Sequence, residues 1–175
     1  MLFVDETGCM LQPLVRRTWA PRGHTPMLYS WDRHDRLSVI GALTVAPRRR
    51  RLGLYFRIHS QNIRAEHAAR FVAGVYRALR RPLLVVWDRW SVHRKAARLL
   101  HEQLDKAIAF EWLQAYAPDL NPIESVWGHT KYSDLANFIP DDIDHLHTEV
   151  LGSLEDQRST CALLASFFAH AGLTL

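Results

Sequence analysis

Three acids sit where a chain can assemble chemistry. Asp5 follows one apolar run, Asp88 follows another, and Glu124 comes just after a Pro-punctuated stretch. Carboxylates gathered in this way suit phosphodiester chemistry. Hydrolysing or exchanging a phosphodiester needs a nucleophilic hydroxyl, a stabilised leaving oxygen and neutralised phosphate charge. Two divalent cations roughly 3.5–4 Å apart can supply all three. Mg²⁺ and Mn²⁺ are hard ions that prefer oxygen ligands. Three acids can share two such ions and leave positions open for water and phosphate. A lone Asp after a strand is more often a turn or cap residue, so the case depends on the elements that position each acid.

Leu2-Phe3-Val4 reads as a buried strand that ends at Asp5-Glu6 and is broken by Thr7-Gly8. Residues 16–26 are rich in Arg, Pro and Gly and read as a loop, with Leu28 to Trp31 a candidate short strand. Leu37 to Val45 and Leu52 to His59 read as an antiparallel hairpin around a basic turn. Between Asn62 and Arg81, Ala65, Ala69, Val72, Tyr76 and Leu79 recur at helical spacing, and Pro82 stops the helix. Leu83 to Trp87 is a near-continuous apolar run, as expected of a central strand covered on both faces. A basic helix follows from Ser91, a plausible N-cap, to about Lys106; Ile108 to Leu113 reads as a strand and Tyr116 to Pro122 as a loop. A helix is expected from Ile123 to about Phe138, then a last one from Asp141 or Asp142 to about His170, breaking near Arg158 to Cys161. The order predicts an α/β fold, a mixed five-stranded sheet flanked by helices. Asp5 and Asp88 then stand at the carboxyl ends of strands, where open α/β sheets build their sites.

Residues 1–110 carry 20 Lys+Arg against 8 Asp+Glu, whereas residues 111–175 carry 2 against 10. A basic first part with an acidic tail points to a polyanion partner and favours nucleic acid, although a solvated basic surface gives the same count. No apolar run approaches the roughly 20 residues of a membrane span, and the opening MLFVDETG has no signal-peptide pattern. Cys9 and Cys161 form no CxxC pair, so neither a zinc ribbon nor a disulfide framework is expected. The expectation is one soluble, cytoplasmic domain over residues 1–175.

The strings FVDETG (3–8), VVWDRWSVHRKA (85–96) and YAPDLNPIESVW (116–127) resemble the three catalytic motifs of DDE transposases of the mariner superfamily, in particular the bacterial insertion-sequence branch. Thirty-five residues separate Asp88 from Glu124, in keeping with the spacing of such enzymes. The segment RRTWAPRGHTP (16–26) and Gly41-Ala42 are similar to that branch's connecting region. The resemblance implies an RNase H-like catalytic domain that hydrolyses phosphodiesters at transposon ends and transfers the strand to target DNA. It gives Asp5, Asp88 and Glu124 the metal-ligand roles for Mg²⁺ or Mn²⁺, two ions, and implies a homodimer on DNA. Arg89 stands where the family usually has Asn. The chain begins almost at the first catalytic strand, so the N-terminal helix-turn-helix region of such proteins is expected to be absent. The alternatives are an endonuclease of the same superfamily without strand transfer, or an inactive fragment serving as a DNA-binding or dimerisation module.

Around this set, His93 is a supporting candidate that contacts phosphate or orients a water, unless it only caps or packs. Asn121 is expected to N-cap the Glu124 helix, with Pro122 in its first turn. Asp119 reads as loop-shaping. Glu6 points to the face opposite Asp5 and is left out of the metal set. Arg48, Arg49, Arg50 and Arg51 grip phosphates or form a solvated turn. Arg16, Arg17 and Arg22 have Trp19 among them, which suits a DNA contact, although Trp19 equally suits a place in the core. Trp87 and Trp127 are expected to pack. His145 and His147 are expected at the surface.

Overall fold

The computed structural model describes residues 1–29, 35–48, 51–104, 107–114 and 117–175. Its strands are β1 (Leu2–Met10), β2 (Arg36–Val45), β3 (Leu52–His59), β4 (Leu83–Trp87) and β5 (Ile108–Trp112). They form one sheet in the order β3-β2-β1-β4-β5. β2 pairs antiparallel with β1 and β3, while β1, β4 and β5 run parallel. This is the mixed five-stranded sheet that the element order predicts.

Alternation along the strands divides the core between the two faces. Leu2, Val4, Ile40, Ala42, Val85 and Trp87 pack on one side with α1 (Ala65–Leu79) and α2 (Ser91–Leu104). Phe3, Leu43, Leu54 and Val86 pack on the other with α3 (Ile123–His129), α4 (Ile143–Ser159) and α5 (Cys161–His170). β4 is covered on both faces, which is why its sequence is apolar throughout. Among the described residues no helix is long and apolar enough to cross a membrane.

Several boundaries differ from those read in the sequence. α1 stops at Leu79 because Arg80 turns into the left-handed region (φ 51°) and its N–H closes on the Tyr76 carbonyl. The helix opened by Ile123 widens after His129 into a π-helical turn, Thr130–Asp134, and goes no further. There the Thr130 hydroxyl receives hydrogen bonds from Ser153 (3.1 Å) and Gln157 (2.7 Å), tying the turn to α4. The expected break in the last helix falls at Thr160, whose hydroxyl donates to the Asp156 carbonyl at 3.0 Å. Leu28 and Tyr29 belong to no strand. Trp31, Lys106 and Tyr116, at the ends of predicted segments, lie outside the described residues.

The β1–β4 pairing covers only Leu2↔Val85 and Phe3↔Val86. Past that point β1 continues to Met10 against β2 alone, and β4 ends at Trp87. Asp5 and Asp88 stand where the two strands part.

Candidate active site

Asp5 lies on the β1 face covered by α3. The indole N–H of Trp127 donates to its Oδ2 at 3.1 Å, and Glu124, the second residue of α3, lies close enough for the two carboxyls to influence each other's charge. Burial pushes the Asp5 carboxyl up to about 8, and the negative charges of Glu124 and Glu6 add to the rise; the Trp127 N–H offsets only part of it. Glu124 is raised too, first by burial and further by Asp88 and Asp119, against the opposing pull of Lys131. The Lys131 ammonium donates to the Thr7 hydroxyl at 2.5 Å.

Asp88 is the first residue beyond β4. Its Oδ1 accepts from the Trp90 backbone N–H at 2.9 Å and from Nδ1 of His93. His93 is 0% exposed, stacked on Trp87 at 4.5 Å, and its Nε2 meets Glu6 Oε2 at 2.6 Å. Burial opposes a charge on this imidazole, yet hydrogen bonds to two carboxylates lift it to about 9. It therefore stands as an imidazolium that donates from both nitrogens. Burial alone would raise Asp88; the His93 bond and the Trp90 N–H bring it below the ordinary carboxylate value instead.

Asp5, Asp88 and Glu124 line one cleft of about 490 Å³ with Arg89, Trp90, Gln114 and Asn121. They do not close on a common point: among the described residues no three acidic, His or Cys side chains form a metal-holding cluster. Asp5 is held by Trp127 on the α3 side while Asp88 leans to His93. The donors nonetheless fit a hard divalent cation. They are carboxylate oxygens in excess negative charge, and the buried Asn121 Oδ1 beside them has no hydrogen-bond partner.

Asn121 is not the N-cap of α3; Pro122 holds that place. The Asn121 amide instead donates to the Val4 carbonyl at 3.4 Å, which draws the start of α3 against β1. His93 is fully buried and its Nδ1 bonds Asp88 from behind the cleft. Glu6 does face away from Asp5, and that brings it to His93. Arg16 is exposed, its backbone N–H bonded to Asn137 Oδ1 and its guanidinium to the Tyr132 carbonyl, both at 2.8 Å. Arg17 is exposed. Trp19 is 99% exposed and no part of the core, unlike Trp87 and Trp127. Arg48 and Arg51 are exposed at the β2–β3 turn, beside the start of β1 and away from the strand ends that carry the acids; Arg49 and Arg50 lie outside the described residues.

A second groove, about 800 Å³, adjoins the first and shares Asp5 and Trp90 with it; Arg36, Arg64 and Lys95 line it. These three are scattered in the chain, so only the fold reveals them as a group. The Trp127–Asp5 bond was equally hidden, because an indole near a motif reads first as packing.

Gly41 is the β2 residue opposite Asp5. A Cβ there would stand 2.5 Å from Cη2 of Trp127, so the bare backbone makes room for the ring that bonds Asp5. Gly41→Ala is expected to cost about 1–3 kcal/mol and to lower the melting temperature. An unchanged melting curve would show that the ring does not depend on this gap.

A family model described as DDE superfamily endonuclease matches residues 1–147. No curated protein matches the chain. Among solved structures, the Mos1 mariner paired-end complex with Mn aligns with 98% of this chain and 51% of its own, at 14% identity and a TM-score of 0.70. The Mos1 transposase paired-end complex with left transposon end aligns over the same shares at 14% identity and 0.66. The Mos1 strand transfer complex aligns over 98% and 53% at 15% identity and 0.62. The chain spans about half the length of these proteins, and at such identities the likeness is one of fold, the RNase H-like fold of the Mos1 catalytic domain.

Proposed function

The chain belongs to the DDE superfamily endonuclease family, and from that premise we propose that it is the catalytic domain of a DNA transposase of the bacterial insertion-sequence branch. The observation that carries this reading is the single cleft lined by Asp5, Asp88 and Glu124, the three acids of the motifs. Those residues would hold Mg²⁺ or Mn²⁺, two ions, which when bound neutralise the phosphate and activate the attacking hydroxyl.

The chain's own groups do the positioning. Trp127 fixes Asp5 from the α3 side, and His93 with the Trp90 N–H fixes Asp88. Arg36 and Arg64 line the groove that leads from the carboxylates and suit a DNA backbone, with Lys95 beside them in an ion pair with Glu66 at 2.6 Å. The reaction is in-line attack at phosphorus, first by water at a transposon end, then by the freed 3′-hydroxyl on target DNA. Each step makes one P–O bond and breaks one, so no Ser or Tyr nucleophile is required. A homodimer on DNA is part of this reading, since two ends must be joined to one target.

The test is incubation with supercoiled plasmid, short duplexes bearing free 3′-hydroxyls, and Mn²⁺. Nicked plasmid together with duplex joined to plasmid is expected. Nicking without joined product would make the protein an endonuclease only. DNA binding with no metal-dependent nicking would make it a binding module.

A further inference from the structure

We propose that Glu6 is a positioning residue for Asp88, acting through His93. The claim rests on the reading of Asp88 as a metal ligand. Glu6, His93 and Asp88 come from β1, α2 and the end of β4, so their contacts tie three elements at the point where the sheet opens. Strand alternation sends Glu6 to the α2 side of the sheet while its neighbour Asp5 faces α3.

His93 can transmit position because it has little freedom. It is fully buried, with its ring flat on Trp87 (16° between planes) and the edge of Trp90 against it at 5.4 Å, 89°. Its Nε2 is held by Glu6 at 2.6 Å, which sets the ring's rotation and leaves Nδ1 aimed at Asp88 Oδ1. That oxygen also takes the Trp90 N–H at 2.9 Å. Two donors thus occupy Oδ1, and Oδ2 is the oxygen left for the cleft. Without Glu6 the imidazole loses its second anchor, and Asp88 loses the fixed donor that decides which oxygen it presents.

Glu6 is costly to place here. Its Oε1 is buried with no hydrogen-bond partner, a penalty that simple packing between β1 and α2 does not call for. Groups standing behind metal ligands commonly govern ligand orientation, and losing one costs about 10- to 100-fold in metal affinity.

The experiment compares wild type with Glu6→Ala in two ways: crystal structures of the metal-free proteins, and Mn²⁺ titration followed by electron paramagnetic resonance. In Glu6→Ala the Asp88 carboxylate is expected to leave its place on His93, and Mn²⁺ affinity to fall by about 10- to 100-fold. An unmoved Asp88, or equal affinity with only a lower melting temperature, would overturn the proposal. If the wild type binds no Mn²⁺, the metal-site reading fails by itself, and the crystal structures still decide whether Glu6 positions Asp88. Should Glu6→Ala not fold, Glu6→Gln keeps the volume and an acceptor but not the charge; it is expected to lose affinity toward the lower end of the same range, about tenfold, and no loss would again overturn the idea.

Discussion

Asp5→Asn is expected to reduce metal-dependent plasmid nicking by on the order of 10³-fold or more while leaving the protein folded. The amide has the size of the carboxyl but neither its charge nor its power to hold a hard cation. The same change removes a like-charge conflict. Asp5 is buried and feels the negative charges of Glu124 and Glu6, which is why its carboxyl is pushed up to about 8. Asp5→Asn should therefore melt no lower than wild type above neutral pH, and Glu124→Gln should behave alike. Retention of more than about a tenth of the activity, against the thousandfold loss expected of an essential ligand, would remove Asp5 from the site. A loss that merely followed a lower melting temperature would make its role structural.

Mn²⁺ affinity is expected to climb about tenfold per pH unit between pH 6 and 8, then level off. The sign follows from Asp5. Its folded value of about 8 lies far above the ordinary 3.8, so it carries a proton through this range that a bound cation must displace. Stability without metal runs the other way. A folded-state value raised above the unfolded one gives a contribution fully present below about pH 4 and lost as pH rises through about 8. His93, lifted to about 9, adds a loss of the same sign between its ordinary 6.5 and about 9. Titration calorimetry in two buffers of different ionisation enthalpy counts the released proton, and thermal melts from pH 5 to 9 follow the stability. An affinity flat between pH 6 and 8 would contradict a proton held on Asp5 through this range.

The fold was largely legible because its signals are local and periodic. The unbroken apolar run of Leu83 to Trp87 marked a strand covered on both faces, and helical spacing with Pro82 marked α1 and its end. The shortening of the Ile123 helix was not legible, since the π-helical turn is held by Ser153 and Gln157 of α4, about twenty-five residues on, and no local pattern records that. At the site, the meeting of Asp5, Asp88 and Glu124 in one cleft follows from motif and strand order. The partners of these acids did not follow. Glu6 drew little notice because it faces away from Asp5, and that orientation is what brings it to a histidine 87 positions later. Asn121 looked like a helix cap by type and position, yet a tertiary contact with the Val4 carbonyl claimed its amide. Trp19, among arginines, suited either a DNA contact or the core, and its full exposure excludes the core.

The central claim is that Asp5, Asp88 and Glu124 hold divalent metal in one cleft. The most direct measurement is the anomalous signal of crystals soaked in Mn²⁺. The account predicts a peak bonded to carboxylate oxygens of all three, with Asp88 contributing the oxygen that His93 does not hold. A peak elsewhere, or none in well-ordered crystals at millimolar Mn²⁺, would contradict it.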